Sequence, residues 1–249
     1  MIKWRALADP AQIAGYRLLV EFRRLFEGHI YRHRSSNQGD FLAMHLYEDL
    51  YSVNRSSKLI EAIQRHQSVL NVHNRARGIA ARRGDGTFGE IVPGELPIAH
   101  PGFVVPRGPI AAIETGVEVK TLAKAMIKQI DRVTGDLVKQ VSHFRRRRGN
   151  PICVAIVGLN HADHTVSYEG ERATPTTGRG GYLHPIQEAA EAERRLIADA
   201  APSFDEFVLL RYKATNEPPY PFEWVDYEST RQDYGASLAR ISREYQNRF

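Results

Sequence analysis

Apolar residues recur at three- and four-residue steps through the first third of the chain. Ile13, Tyr16, Leu19, Phe22, Leu25 and Phe26 predict an amphipathic helix from about Pro10 to Tyr31, ended by Gly28 and the polar run Ser35 to Gly39. A second helix is expected from Asp40, which suits an N-cap, through Phe41, Leu42, His45, Leu46, Leu50 and Tyr51. A third is expected over Ser57 to Val72. No Pro occurs between Ala11 and Arg83, so this region reads as packed helix and not as linker.

From Gly84 the pattern shortens. Thr87 to Val92, Phe103 to Val105 and Ile110 to Val119 read as strands, with Pro93-Gly94, Pro101-Gly102 and Arg107-Gly108-Pro109 as turns. Within Ala112 to Lys120, Val117 and Val119 point one way and Glu114, Gly116, Glu118 and Lys120 the other. A helix should then start at a capping Thr121 and run to about Phe144, with Leu122, Met126, Ile130, Val133, Leu137 and Val141 as its buried stripe. Pro151 to Gly158 is almost continuously apolar, as a central strand covered on both faces would be. The polar, Gly-rich stretch from Asn160 to Gly181 reads as a long loop, of the kind that is commonly functional. A helix follows over Pro185 to Ala200, preceded by His184 or Thr177, then a strand over Phe204 to Tyr212 and a mixed tail.

Alternating strands and helices of this kind predict an α/β protein, with a mixed sheet flanked by helices and an N-terminal helical layer. The expected organisation is helices over residues 1–80 packed on an α/β core of residues 81–213, with an extension over 214–249.

Composition narrows the class. With 249 residues, 42% hydrophobic and 25% charged, the chain has the balance of a globular protein. It contains no apolar run of membrane-spanning length and no signal-peptide core at Met1 to Arg5. One Cys excludes an internal disulfide and a cysteine-based zinc site, and fits a cytoplasmic location. Cys153, inside the apolar run, reads as a small buried side chain. The net charge of +5 is concentrated at Arg23-Arg24, Arg32 to Arg34, Arg75 to Arg83 and Arg145 to Arg148, which favours a polyanionic partner.

The candidate chemistry centres on Glu118-Val119-Lys120. A carboxylate and an ammonium two residues apart on one side of a strand can share a metal-bound water or a phosphate. Glu-Val-Lys at a strand end resembles the second half of the signature of the PD-(D/E)XK nucleases, the restriction-endonuclease-like superfamily. That resemblance implies an acid on the preceding strand, and Asp85 in Gly84-Asp85-Gly86 is the best candidate; Glu90 and Glu95 compete with it. The order of elements from about Asp40 to Tyr212 also matches the αβββαβ core of that fold.

What the resemblance implies is a Mg²⁺ ion held by Asp85, Glu118 and the carbonyl of Val119, with Lys120 acting on the attacking water. Possible accessory groups are Glu48, which reads first as an ordinary surface carboxylate but could match a helical Glu that many of these nucleases carry, and Gln129, which a polar helix face explains equally well. Glu114 lies roughly 13 Å from Glu118 along an ideal strand, too far to share one ion, so it would serve a second site, a water-mediated role or none. Lys124, Lys128, Arg145, Arg146, Arg147 and Arg148 are the expected DNA contacts. The expected activity is Mg²⁺-dependent DNA cleavage of restriction or host-defence type, by a homodimer where both strands are cut. The competing expectation is a DNA-binding or assembly protein of the same fold without cleavage. His161 and His164 have a zinc-like spacing but no further ligand motif. Neither a Gly-x-x-x-x-Gly-Lys loop nor a dinucleotide fingerprint is present.

Overall fold

A computed structural model describes residues 15–32, 37–71, 84–146, 149–169, 172–176 and 183–249. Three helices come first: α1 (Arg17–Arg24), α2 (Asn37–Val53) and α3 (Ser57–Gln64). Strands β1 (Ser68–Asn71), β2 (Gly86–Glu90), β3 (Arg107–Gly108) and β4 (Thr115–Leu122) follow, then α4 (Met126–Phe144) and β5 (Ile152–Asn160). A hairpin, β6 (Thr165–Glu169) and β7 (Arg172–Thr176), precedes α5 (Pro185–Arg195), β8 (Glu206–Lys213), β9 (Glu223–Trp224) and α6 (Tyr227–Arg248).

Seven strands form one mixed sheet in the order β3-β1-β2-β4-β5-β8-β9. β2 is antiparallel to both β1 and β4, whereas β4, β5 and β8 run parallel. The parallel connections carry α4 and α5, as parallel strands require a crossover. All nine residues of β5 are buried, in keeping with its apolar run and central place.

The two faces of the sheet bury separate cores. Leu18, Phe22, Leu42, Leu46 and Tyr47 of α1 and α2 meet Val117, Val119, Val154 and Ile156 on one face, together with Tyr234, Leu238 and Tyr245 of α6. On the other, Ile130, Leu137 and Phe144 of α4 and Ala189, Ala192 of α5 pack on Cys153, Ala155 and Val157. The alternation of β4 and β5 decides which residue goes to which core. Helix α6, in the region expected to be an extension, thus shares the core of α1 and α2. Cys153 is buried, and burial pushes its thiol up to about 11.

Several expected boundaries move. The helix predicted to reach Val72 stops at Gln64, where His66 takes a left-handed φ of 56° and the chain turns into β1. Val69 and Leu70 continued the helical spacing by coincidence; they are buried because they lie in a strand. Phe103 to Val105 is a loop, not a strand, and the run from Ile110 becomes regular strand only at Thr115. Asp40 lies inside the first turn of α2, which begins at Asn37. Thr121 is no cap: β4 continues to Leu122, Ala125 is left-handed at φ 48°, and α4 starts at Met126 without a side-chain cap. The long polar loop contains the β6–β7 hairpin. His184, not Thr177, caps α5; its Nδ1 accepts from the Ile186 amide, and its own amide donates to Gln187.

Candidate active site

The sheet creates one special position where β2 begins. Gly86 pairs with Val117, so the next residues outward along the two strands are Asp85 and Glu118. Asp85 stands beyond the end of the β2 ladder, and its Oδ2 accepts the Val119 amide at 2.7 Å. A side-chain oxygen thus takes over the role of a missing strand carbonyl. In a strand the N–H and C=O of one residue point to the same flank, so the Val119 carbonyl also turns toward Asp85.

Glycines make this approach possible. A Cβ on Gly39, in the first turn of α2, would lie 2.5 Å from Cγ of Asp85. A Cβ on Gly84 would meet Phe144 at 2.4 Å, and one on Gly86 would meet Ala43 at 2.5 Å. The Gly-Asp-Gly sequence is therefore a packing requirement at both ends: α2 closes over one side of Asp85 and α4 over the other. Tyr47 fixes the neighbouring ladder by donating to the carbonyls of Gly86 and Thr115, each at 3.2 Å.

Glu118 is 7% exposed, and the Lys120 ammonium touches its Oε1. Asp85 is half-buried, and its acidity reflects this place. Burial, with the Glu118 charge second, pushes its carboxyl up from 3.8 to about 7, against the Val119 hydrogen bond and the Lys120 charge. Asp40 adds to the rise. The charges of Glu118 and Asp40 thus oppose ionisation of Asp85, and that of Lys120 favours it. A cation placed beside Asp85 would favour its ionised form against burial and the Glu118 charge. Two carboxylates, a carbonyl and water suit Mg²⁺. Among the described residues no group of three or more His, Cys, Asp or Glu forms a ligand cluster by side chains alone.

The other expected residues lie elsewhere. Glu48 is buried, and its carboxylate is occupied by the amides of Val104 and Val105 at 2.9 and 2.8 Å and by Arg17 at 2.8 Å. It fastens the 102–105 loop to α2, and this use replaces the accessory role expected of it. Glu90 ends β2 at the side away from Asp85, roughly 16 Å along the strand, so it is not the partner acid. Glu95 is exposed in the loop after β2. Glu114 sits at the opposite end of β4, accepting from Ser68 Oγ at 2.9 Å and Tyr245 Oη at 2.5 Å. Gln129 turns back to donate to the Lys124 carbonyl at 3.0 Å, closing the loop before α4.

The basic residues divide. Lys124 and Lys128 lie at the start of α4, near the exit of β4, and Arg145 lies at its end. From Lys128 to Arg145 the helix rises about 26 Å, so they form two patches and not one. Arg145 reaches Asp205 at 3.5 Å, and Arg146 is exposed. Arg147 and Arg148 lie outside the described residues, as do Arg34 and the whole of the Arg75 to Arg83 cluster.

His161 and His164 face different carboxylates. His164 bridges Asp163 at 2.7 Å and Glu217 at 3.0 Å, and these hydrogen bonds raise its pKa. His161 lies 3.7 Å from Glu193, and burial lowers its pKa. No helix among the described residues is long and apolar enough to cross a membrane. Comparison with family models, with curated proteins and with solved structures returned no match.

Sequence reasoning missed Gly39 and Asp40 as neighbours of Asp85. Asp40 was legible only as a helix-start residue, which carries no information about what the helix start rests on.

Proposed function

We propose that this protein is a Mg²⁺-dependent nuclease that hydrolyses DNA phosphodiester bonds, of restriction or host-defence type. The observation that carries the reading is the adjacency of Asp85 and Glu118 on neighbouring strands, with Lys120 against Glu118. The order of strands supports it too: β1, β2 and β4 are antiparallel neighbours, and α4 then leads to β5 parallel to β4. That order resembles the αβββαβ arrangement expected of the restriction-endonuclease-like fold.

In this reading Asp85, Glu118 and the Val119 carbonyl hold the ion, which when bound supplies charge for the phosphate and a more acidic water. Asp85 must be ionised to bind, so binding releases the proton that burial and Glu118 hold on it. Lys120 is tethered to Glu118 and presents an ammonium where negative charge grows during phosphoryl transfer. The backbone bond from Val119 to Asp85 fixes the carboxyl while the charge changes.

The test is supercoiled plasmid incubated with the protein and Mg²⁺, beside the same mixture with EDTA. Nicking or linearisation only with Mg²⁺ is expected, with Glu118→Gln and Lys120→Met each slowing it by more than about 100-fold while binding persists. Plasmid bound but never cut would move the assignment to a non-catalytic DNA-binding protein.

A further inference from the structure

The most unusual polar surroundings outside the carboxylate site lie about one helical turn farther along α2. His45 is 1% exposed, and among the described residues neither ring nitrogen has a hydrogen-bond partner. It packs between Phe41 at 4.6 Å and Phe103 at 5.2 Å between ring centres. Burial and the charges of Arg17, Arg24 and Arg107 push it down to about 3, so it stays neutral. Three guanidinium groups thus lie around one uncharged ring.

Two of the three are answered. Arg17 pairs with Glu48 at 2.8 Å and donates to the Gly102 carbonyl at 2.8 Å, and Arg24 pairs with Glu21 at 2.5 Å. Arg107 is not. Among the described residues no carboxylate lies within 4.0 Å of its guanidinium. It rests 5.3 Å over the Phe103 ring and donates to the Met44 sulfur at 3.0 Å, a weak acceptor. Asp40 and Glu48 act on it only at longer range. A half-buried, stacked guanidinium with most of its N–H groups unused is pre-organised for a planar or tetrahedral oxyanion.

Its position says which anion. Gly39 touches Asp85 and Met44 touches Arg107, about 7.5 Å of rise and about 140° of rotation apart on α2, and in the sheet Arg107 pairs with Leu70, whose other partner is Phe88, close along the chain to Asp85. Asp40, between the two, is within electrostatic reach of both. We propose that Arg107 is a substrate-positioning residue that binds a backbone phosphate of the nucleic acid beside the one held at Asp85 and Glu118. The inference rests on the nuclease reading. Phe103 and Met44 hold the guanidinium in place, and the Glu48 clamp on Val104 and Val105 holds Phe103.

The test measures binding of a fluorescent 30-mer DNA duplex in EDTA across a salt series, and cleavage of the same duplex in Mg²⁺. Arg107→Met keeps the aliphatic packing and removes the charge, and Arg107→Lys keeps the charge without the planar fork. Arg65→Met, on α3, controls for loss of a surface charge. Arg107→Met should lower the slope of log affinity against log salt by about 1 and raise KM more than it lowers kcat. Arg107→Lys should restore the slope and only part of the affinity; Arg65→Met should change neither. An unchanged slope and KM in Arg107→Met, with the wild type binding and cutting, would overturn the assignment of Arg107 alone. A wild type that neither binds nor cuts the duplex would remove this proposal and the nuclease reading together.

Discussion

Replacing Asp85 by Asn should make the protein more stable as well as inactive. Asn keeps the shape and an oxygen that can accept the Val119 amide, and it removes the charge that burial and Glu118 oppose. The sign follows from linkage. The Asp85 carboxyl rises from 3.8 to about 7, so between these values the folded protein holds a proton that the unfolded chain releases. Stability contributed by that proton is present at low pH and lost as pH rises toward 7. The full difference is about 4 kcal/mol at 1.36 kcal/mol per pKa unit, and nearer about 2 kcal/mol once solvent screening at this partly open position is allowed for. For a chain of this size that corresponds to a gain in Tm of roughly 5 °C or more at pH 8. Urea denaturation without divalent ions, at pH 4.5 and pH 8, measures it. Asp85→Asn should gain its advantage over wild type mainly at pH 8, and Mg²⁺ should narrow the gap by stabilising wild type alone. An Asn variant no more stable than wild type at pH 8, or equally advantaged at both pH values, would refute the argument.

Two further predictions rest on packing around the same elements. Gly39→Ala places a methyl against the Asp85 carboxyl, which must turn away from Val119; cleavage should fall on the order of 100-fold with the circular dichroism unchanged, and unaltered rates would contradict the contact. Glu48→Ala leaves Arg17 and two loop amides without their carboxylate and should cost about 3–5 kcal/mol in urea denaturation, whereas a surface-like loss under about 0.5 kcal/mol would show that the clamp is not formed.

What the sequence disclosed was set by local rules. The alternation of Glu118, Lys120 and their valines, the continuous apolar run of β5 and the stripe of α4 each follow from one element, and all three could be read directly. The Gly84-Asp85-Gly86 run was legible as a turn before a strand, but its pairing with Glu118 was an expectation drawn from the family resemblance, with Glu90 and Glu95 as rivals. Features made by two distant segments were not legible. β1 is too short to break the helical spacing of α3, since Val69 and Leu70 fit either period. The apolar Phe103 to Val105 looks like a strand, but its buried side chains serve a loop fastened by a carboxylate on another helix. Arg107 seemed part of a turn; its stacking on Phe103 and its distance from any acid exist only in three dimensions. The contribution of α6 was hidden because its buried residues, such as Tyr234 and Tyr245, meet a core assembled far earlier in the chain.

The pairing of β2 with β4 also decides whether Asp85 and Glu118 meet at all. Side chains alternate across a strand, so sliding β2 by one residue would bring Asp85 opposite Val117 or Val119, with Glu118 turned to the other face. The two residues stand side by side only when β2 pairs with β4 in its native register. A slip of a single residue there would part the two side chains even with every strand still beside its neighbour.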